Sequence, residues 1–142
     1  MALTTIIAPP LIVTFLTLSL WHVYWLLGGR VGLDVAIPEV DGKSVFQPSA
    51  AATFVVAVVL AMCALLFAAT AEIIPLPVSH PVLTWLTRVL AVVLLLRAIG
   101  DFRLVGFFKR IRDTRFARLD TVLYSPLCLA LAIGSSIVGF MP

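Results

Sequence analysis

Charged and aromatic side chains gather near one end of the third and fourth apolar stretches of this sequence, where they could form a polar site. Arg97 and Asp101 are four residues apart and would share one face of a helix. Asp120 opens the next apolar stretch, and Tyr124 follows one turn later on the same face. A guanidinium presents a planar fork that suits a carboxylate or phosphate. Arg97 is therefore the predicted anion-recognising group, with Asp101 holding its fork.

Two further residues are expected at the same membrane depth. His22 lies in the aromatic sequence Trp21-His22-Val23-Tyr24-Trp25, and Arg103 follows Asp101. The predicted ligand-binding set is Arg97, Asp101, Asp120, His22, Tyr124 and Arg103. The alternative is structural: the same charges could lock the third and fourth spans together. No spacing typical of a nucleophile and its base occurs, so no catalytic residue is assigned.

A second pair of charges is expected at the opposite end. Arg88 lies nine residues before Arg97, half a turn out of phase with it, and Glu72 ends the second apolar stretch. We predict a structural ion pair between Glu72 and Arg88. Cys63 and Cys128 stand apart from any Cys or His cluster, so neither a metal site nor a cofactor is expected.

The composition places these residues in a membrane protein. Of 142 residues 62% are hydrophobic and 12% are charged, with a mean hydropathy of +1.16. So few polar groups could not cover a soluble domain of this size. The net charge of +3 is too small to predict a nucleic-acid partner. Membrane lipids are the expected partners.

Apolar stretches of about 20 residues predict an all-α fold with four transmembrane helices in one bundle and one domain, residues 1–142. The spans are expected at about 9–27, 49–71, 82–99 and 121–141. The first is expected to start at Pro9-Pro10, because proline is tolerated in a first helical turn. Pro126 is expected to kink the fourth span.

The segment between the third and fourth spans carries an amphipathic pattern. Leu104, Phe107, Phe108 and Ile111 have the spacing of one helical face, and cations occupy the rest. We predict an interfacial helix there, lying in the headgroup layer. The alternative is that the third span continues past the membrane.

The distribution of Lys and Arg predicts the orientation. Outside the spans these residues occur only in residues 28–48 and 102–119, which four alternating spans bring to one side. The positive-inside rule places that side in the cytoplasm. Both termini of this multi-pass protein are therefore expected to be extracytoplasmic, in a bacterial inner (cytoplasmic) membrane.

Small residues on the second span predict close helix packing. Ala57, Ala61, Ala64 and Ala68 form a stripe that lets another helix approach. Its partner could belong to the same chain or to a second copy, so a homo-oligomer stays among the alternatives.

Several motifs occur together in this sequence. They are Trp25-Leu26-Leu27-Gly28-Gly29-Arg30 with Gly32 and Asp34, Arg97-Ala98-Ile99-Gly100-Asp101-Phe102-Arg103, Val105-Gly106-Phe107-Phe108-Lys109, Thr114-Arg115-Phe116-Ala117, and Leu123-Tyr124-Ser125-Pro126-Leu127 with Asp120 before it. With these motifs the sequence resembles a bacterial family of four-span membrane proteins of about this length, classed as a domain of unknown function. The resemblance covers nearly the whole chain and implies a four-span fold, but no activity, substrate or cofactor.

These observations favour a small membrane protein that binds a lipid or small amphipathic anion near the cytoplasmic interface. One alternative is a membrane enzyme acting on a lipid-soluble substrate, with His22, Asp101 or Asp120 as acid or base. Another is a structural or oligomeric protein, or a small transporter.

Overall fold

Long apolar helices make up most of the chain in the computed structural model, which describes residues 2–141. Four of them are long and apolar enough to cross a membrane, which confirms the predicted all-α membrane fold. Met1 and Pro142, which the predicted domain includes, lie outside the described residues. In chain order the elements are α1 (Ala2–Leu26), α2 (Leu33–Ala36), β1 (Glu39–Val40), β2 (Lys43–Ser44), α3 (Ala50–Thr70), α4 (His80–Ile99), α5 (Arg115–Leu119), a π-helical turn (Asp120–Tyr124) and α6 (Ser125–Phe140).

Two spans begin earlier than the sequence predicts. Helix α1 starts at Ala2, so Pro9 and Pro10 lie inside it and not at its first turn. The fourth span starts at Arg115, because the Thr114 side chain accepts a hydrogen bond from the Ala117 N–H and caps α5. Hydropathy located only the apolar part of this helix and missed its charged first turns.

A π-helical turn precedes Pro126, the residue at which the sequence predicts a kink. The Ser125 N–H bonds to the carbonyl of Asp120, five residues back, and Pro126 follows within the first turn of α6. A π turn inserts one extra residue into the helix and rotates the side chains before it. Here the turn begins at Asp120, the residue on which the candidate site is built.

The core lies where α1 packs against α3 and α6, and where α4 packs against α6. Phe15 and Phe67 stack with ring centroids 5.5 Å apart. The alanine stripe is confirmed as a packing surface: Ala57, Ala64 and Ala68 are buried, and Ala61 is half-buried. The Ser19 hydroxyl donates to the carbonyl of Ala57 over 2.7 Å, which shows how closely α1 approaches.

The bundle has two chemically different ends. Contacts between the loop at residues 27–49 and the fourth helix define what we call the basic end: Arg115 pairs with Asp34 over 3.1 Å, and Tyr124 donates to the carbonyl of Val35. At the opposite, terminal end, the Thr4 hydroxyl donates to the carbonyl of Met141. The predicted candidate residues lie at the basic end.

Candidate functional site

The segment between α4 and α5 is an irregular loop, so the predicted interfacial helix over residues 104–111 is wrong. Gly100, Phe102 and Gly106 all have positive φ, which a right-handed helix cannot contain. The loop folds back over the end of α4, where the Phe107 N–H bonds to the carbonyl of Ala98.

Asp101 holds the loop in shape. Its Oδ1 accepts hydrogen bonds from the N–H groups of Arg103, Leu104 and Val105, at 2.9, 2.7 and 3.0 Å. Partial desolvation raises the pKa of Asp101, but these N–H groups stabilise the carboxylate and outweigh it, so the pKa lies below its ordinary value. The expected pairing of Asp101 with Arg97 is wrong, because the loop backbone occupies the carboxylate.

Asp120 is the centre of the site. The side chain is fully buried, and its carboxylate accepts four hydrogen bonds from four different residues. Oδ1 accepts from Arg97 Nη2 over 2.8 Å. Oδ2 accepts from the Gly106 N–H, from Lys109 Nζ and from the Ser125 hydroxyl, over 2.8, 2.9 and 3.1 Å. We call this set the Asp120 cluster: Arg97, Gly106, Lys109, Asp120 and Ser125.

Lys109 was missed from the sequence, because the predicted interfacial helix places it among the cations that contact anionic lipid. Its side chain is 1% exposed. Nζ donates to the Gly106 carbonyl, to Asp120 Oδ2 and to Thr121 Oγ1 over 3.0, 2.9 and 2.6 Å. An ammonium has three N–H groups, so Lys109 has no donor left for a ligand.

Arg97 is the member of the cluster with donors to spare. It uses Nη2 for Asp120, and its Nη1 is buried without a hydrogen-bond partner among the described residues. Its side chain is 33% exposed, so it lies at the edge of the cluster. Two cations and one carboxylate leave a single positive charge, and the free donors place it on Arg97.

The remaining predicted residues make their contacts elsewhere. The His22 ring bonds through Nδ1 to the carbonyl of Leu18 in its own helix and packs edge-on against Trp25. The Tyr124 hydroxyl donates to the Val35 carbonyl, which ties α2 to the π-helical turn. Arg103 is exposed. Of the predicted set, the structure joins Arg97 and Asp120 directly.

The predicted ion pair between Glu72 and Arg88 is wrong. Glu72 lies two residues after the end of α3, at an exposed position with positive φ. Arg88 instead turns to α6, where its Nε donates to the carbonyl of Gly139 over 2.6 Å. Its guanidinium also stacks on the ring of Phe140, 4.6 Å from the centroid. A helix C-terminus attracts a cation because its last carbonyls are free to accept. The carbonyl of Gly139 therefore replaces the Glu72 carboxylate as the partner of Arg88.

The cluster holds two cations on one buried carboxylate, and its described residues offer no set of metal ligands. Within residues 2–141, no group of three or more His, Cys, Asp or Glu side chains is close enough to bind a metal ion. Ser125 donates to Asp120, so its hydroxyl proton is already engaged. The chemistry available at the surface of the cluster is that of Arg97.

Comparison with known proteins identifies the family. No curated protein and no solved structure matches the chain. A family model described as a protein of unknown function (DUF3995) matches residues 15–135, which include α3, α4, the loop and the whole Asp120 cluster. The chain therefore belongs to this family, DUF3995.

Proposed function

We propose that this protein binds an anionic amphiphile at the basic end, with the carboxylate or phosphate of that molecule on Arg97. The observation that carries the proposal is the unpartnered Nη1 of Arg97 in a cluster with one excess positive charge. A buried donor without an acceptor costs about 1–3 kcal/mol. An anion that approaches beside Arg97 closely enough to accept from Nη1 would satisfy this donor and balance the charge.

The other members of the cluster act as positioning residues in this proposal. Asp120 fixes Nη2 of Arg97, and Lys109, Gly106 and Ser125 fix the carboxylate in turn. Because Asp120 fixes one side of the Arg97 guanidinium, the remaining N–H groups point in a constant direction, which suits bidentate recognition of an anion. The amphiphile's apolar part would lie in the surrounding membrane.

We also propose that the basic end faces the cytoplasm of a bacterial inner membrane, so that both termini are extracytoplasmic. The support is the concentration of Lys and Arg at this end. Fusion of a periplasm-active reporter to the C-terminus should give activity, and a cytoplasm-active reporter should not. The reverse result would contradict the orientation.

The binding proposal is tested by melting-temperature measurements with three amphiphiles of the same chain length. Two are anions, dodecyl phosphate and dodecanoate, and the third is uncharged dodecyl maltoside. Dodecyl phosphate or dodecanoate should raise the melting temperature of the purified protein in maltoside, because a ligand of the folded state stabilises it. Arg97→Lys should fold and lose at least tenfold in affinity, since a point charge replaces the fork. Arg110→Lys, at an exposed arginine of the same end that lies outside the predicted binding set, is the matched control and should respond like the wild type.

Two outcomes would overturn the proposal. One is an equal response of Arg97→Lys and wild type to both anions. The other is that no anion stabilises the wild type while Arg97→Lys melts earlier, which would make the cluster a structural lock between α4, the loop and the fourth helix. A response to only one anion would identify the headgroup.

A further inference from the structure

Arg88 places a positive charge on the outer surface of the bundle, far from the Asp120 cluster. It lies eight residues after the start of α4 at His80, which is roughly 12 Å along the helix. The residue is exposed, and its side chain crosses α6 at Gly139. A side chain there would meet Arg88: a Cβ on Gly139 would lie 3.0 Å from Arg88 Cγ. The glycine makes room for the arginine to reach the last turn of α6.

This guanidinium has no anionic partner within residues 2–141. Nε is used by the Gly139 carbonyl, and the face of the group rests on Phe140. The two Nη atoms make no hydrogen bond and no ion pair with any described residue. A cation at this depth requires acceptors, because hydrocarbon supplies none. On the lipid-facing surface, the anionic acceptors available to a guanidinium are the phosphates of phospholipids.

An apolar groove begins beside the same residue. The groove has a volume of about 340 Å³ and runs along one face of α6. Phe140 lines it and also carries the Arg88 guanidinium, so the charge and the groove adjoin. The Ser136 hydroxyl donates to the Ala132 carbonyl, which keeps the lining free of unsatisfied donors. The other lining residues are Leu95, Leu129, Ala132, Ile133, Ile137 and Met141.

The length of the groove matches one leaflet of a bilayer. Leu129 and Phe140 are eleven positions apart on α6, which is roughly 16 Å at the helical rise. Half of the hydrocarbon core is about 15 Å. Leu95 lies seven positions after Arg88 on α4, so both residues are on the same helix face, with the charge at the terminal end. A phosphate at Arg88 would therefore direct its acyl chain down the groove towards the membrane midplane.

We propose that the groove between α4 and α6 is a phospholipid site, with the phosphate on Arg88 and one acyl chain along Ile133 and Ile137. The site lies in the leaflet of the terminal end and is independent of the anion site at Arg97. The basis is the adjacency of an unpaired guanidinium and an apolar groove of one leaflet's length.

Native mass spectrometry with two probes of matched chains, phosphatidylglycerol and diacylglycerol, tests the proposal. Measurements are made in the Arg97→Lys background as well as in the wild type, so that an anion at the basic end is not counted. In the Arg97→Lys background we expect one phosphatidylglycerol per chain, retained at least tenfold better than diacylglycerol. Arg88→Gln should abolish this preference. Ile133→Trp should lower retention of both probes at least fivefold, because the indole fills the groove.

The control for the groove is Val59→Trp on α3. Val59 and Ile133 are similarly exposed, at 51% and 55%, but Val59 lies away from the groove. This variant should retain the lipid like the wild type. The proposal is overturned if Arg88→Gln keeps the preference, or if Ile133→Trp and Val59→Trp behave alike. It is also overturned if the wild type shows no preference, or if a dimer without lipid occupies this face.

Discussion

Gly100 and Gly106 lie back to back, so closely that a side chain on either would overlap the backbone of the other. Both residues have positive φ, at 97° and 88°. Their contact closes the loop after α4 and brings the N–H of Gly106 to within 2.8 Å of Asp120 Oδ2. Two glycines six residues apart thus build part of the cradle for a buried carboxylate.

Gly106→Ala should destabilise the protein strongly. The substitution adds the cost of positive φ, about 1–2 kcal/mol, to a clash with the backbone of Gly100 and Ile99 that no rotamer relieves. We expect a total above about 3 kcal/mol in thermal or denaturant unfolding in detergent. Gly42→Ala is the control, since Gly42 also has positive φ but open space around it, and should cost only about 1 kcal/mol. Equal losses in the two variants would contradict the contact.

The loop also shows where the sequence was informative and where it was not. Hydropathy over some 20 residues is insensitive to individual turns, so four spans could be predicted. The helix predicted over residues 104–111 contains Gly106, a signal that was present but was outweighed by the spacing of Leu104, Phe107 and Phe108. A period of 3.6 over eight residues can arise from a compact turn as well as from a helix.

Asp120→Asn should cost roughly 3–5 kcal/mol of folding free energy. The amide keeps the shape of the carboxylate but leaves the Arg97 and Lys109 charges without compensation in a buried site. Asp34→Asn is the control, because Asp34 pairs with Arg115 at the surface, where both side chains are mostly exposed. That pair should contribute less than about 1 kcal/mol. Equal midpoints for Asp120→Asn and wild type in thermal unfolding would show that the buried charges are not coupled.

The partners of Asp120 could be predicted only in part. Arg97 was identified because an arginine inside an apolar stretch requires a partner. Lys109 was not, since a lysine within a basic loop has the pattern of a solvated or lipid-facing cation. Its burial depends on the fold of the loop over α4, which brings Lys109 to the carboxylate of Asp120, eleven positions later in the chain. Such a tertiary contact leaves no local periodicity in the sequence.

Asp101 predicts a pH dependence of stability. Because its folded pKa lies below the ordinary value of 3.8, the ionised carboxylate stabilises the loop above that pH, and the contribution is lost as the pH falls through the folded pKa. Asp101→Asn lacks the charge at every pH. The difference in melting temperature between wild type and Asp101→Asn should therefore be constant near neutral pH and shrink below about pH 4. A difference that grows on acidification would contradict this sign.

Ala64→Leu should disrupt the packing of α3. Ala64 is 2% exposed and belongs to the core formed with Phe15 and Leu11 of α1. A larger side chain there forces the helices apart, which costs about 1–3 kcal/mol in a well-packed contact. Met62→Leu, of similar volume and on the exposed face of the same helix, should leave the melting temperature unchanged. If Ala64→Leu also melts like the wild type in detergent, the alanine stripe does not form a tight interface and α1 and α3 are held by other contacts.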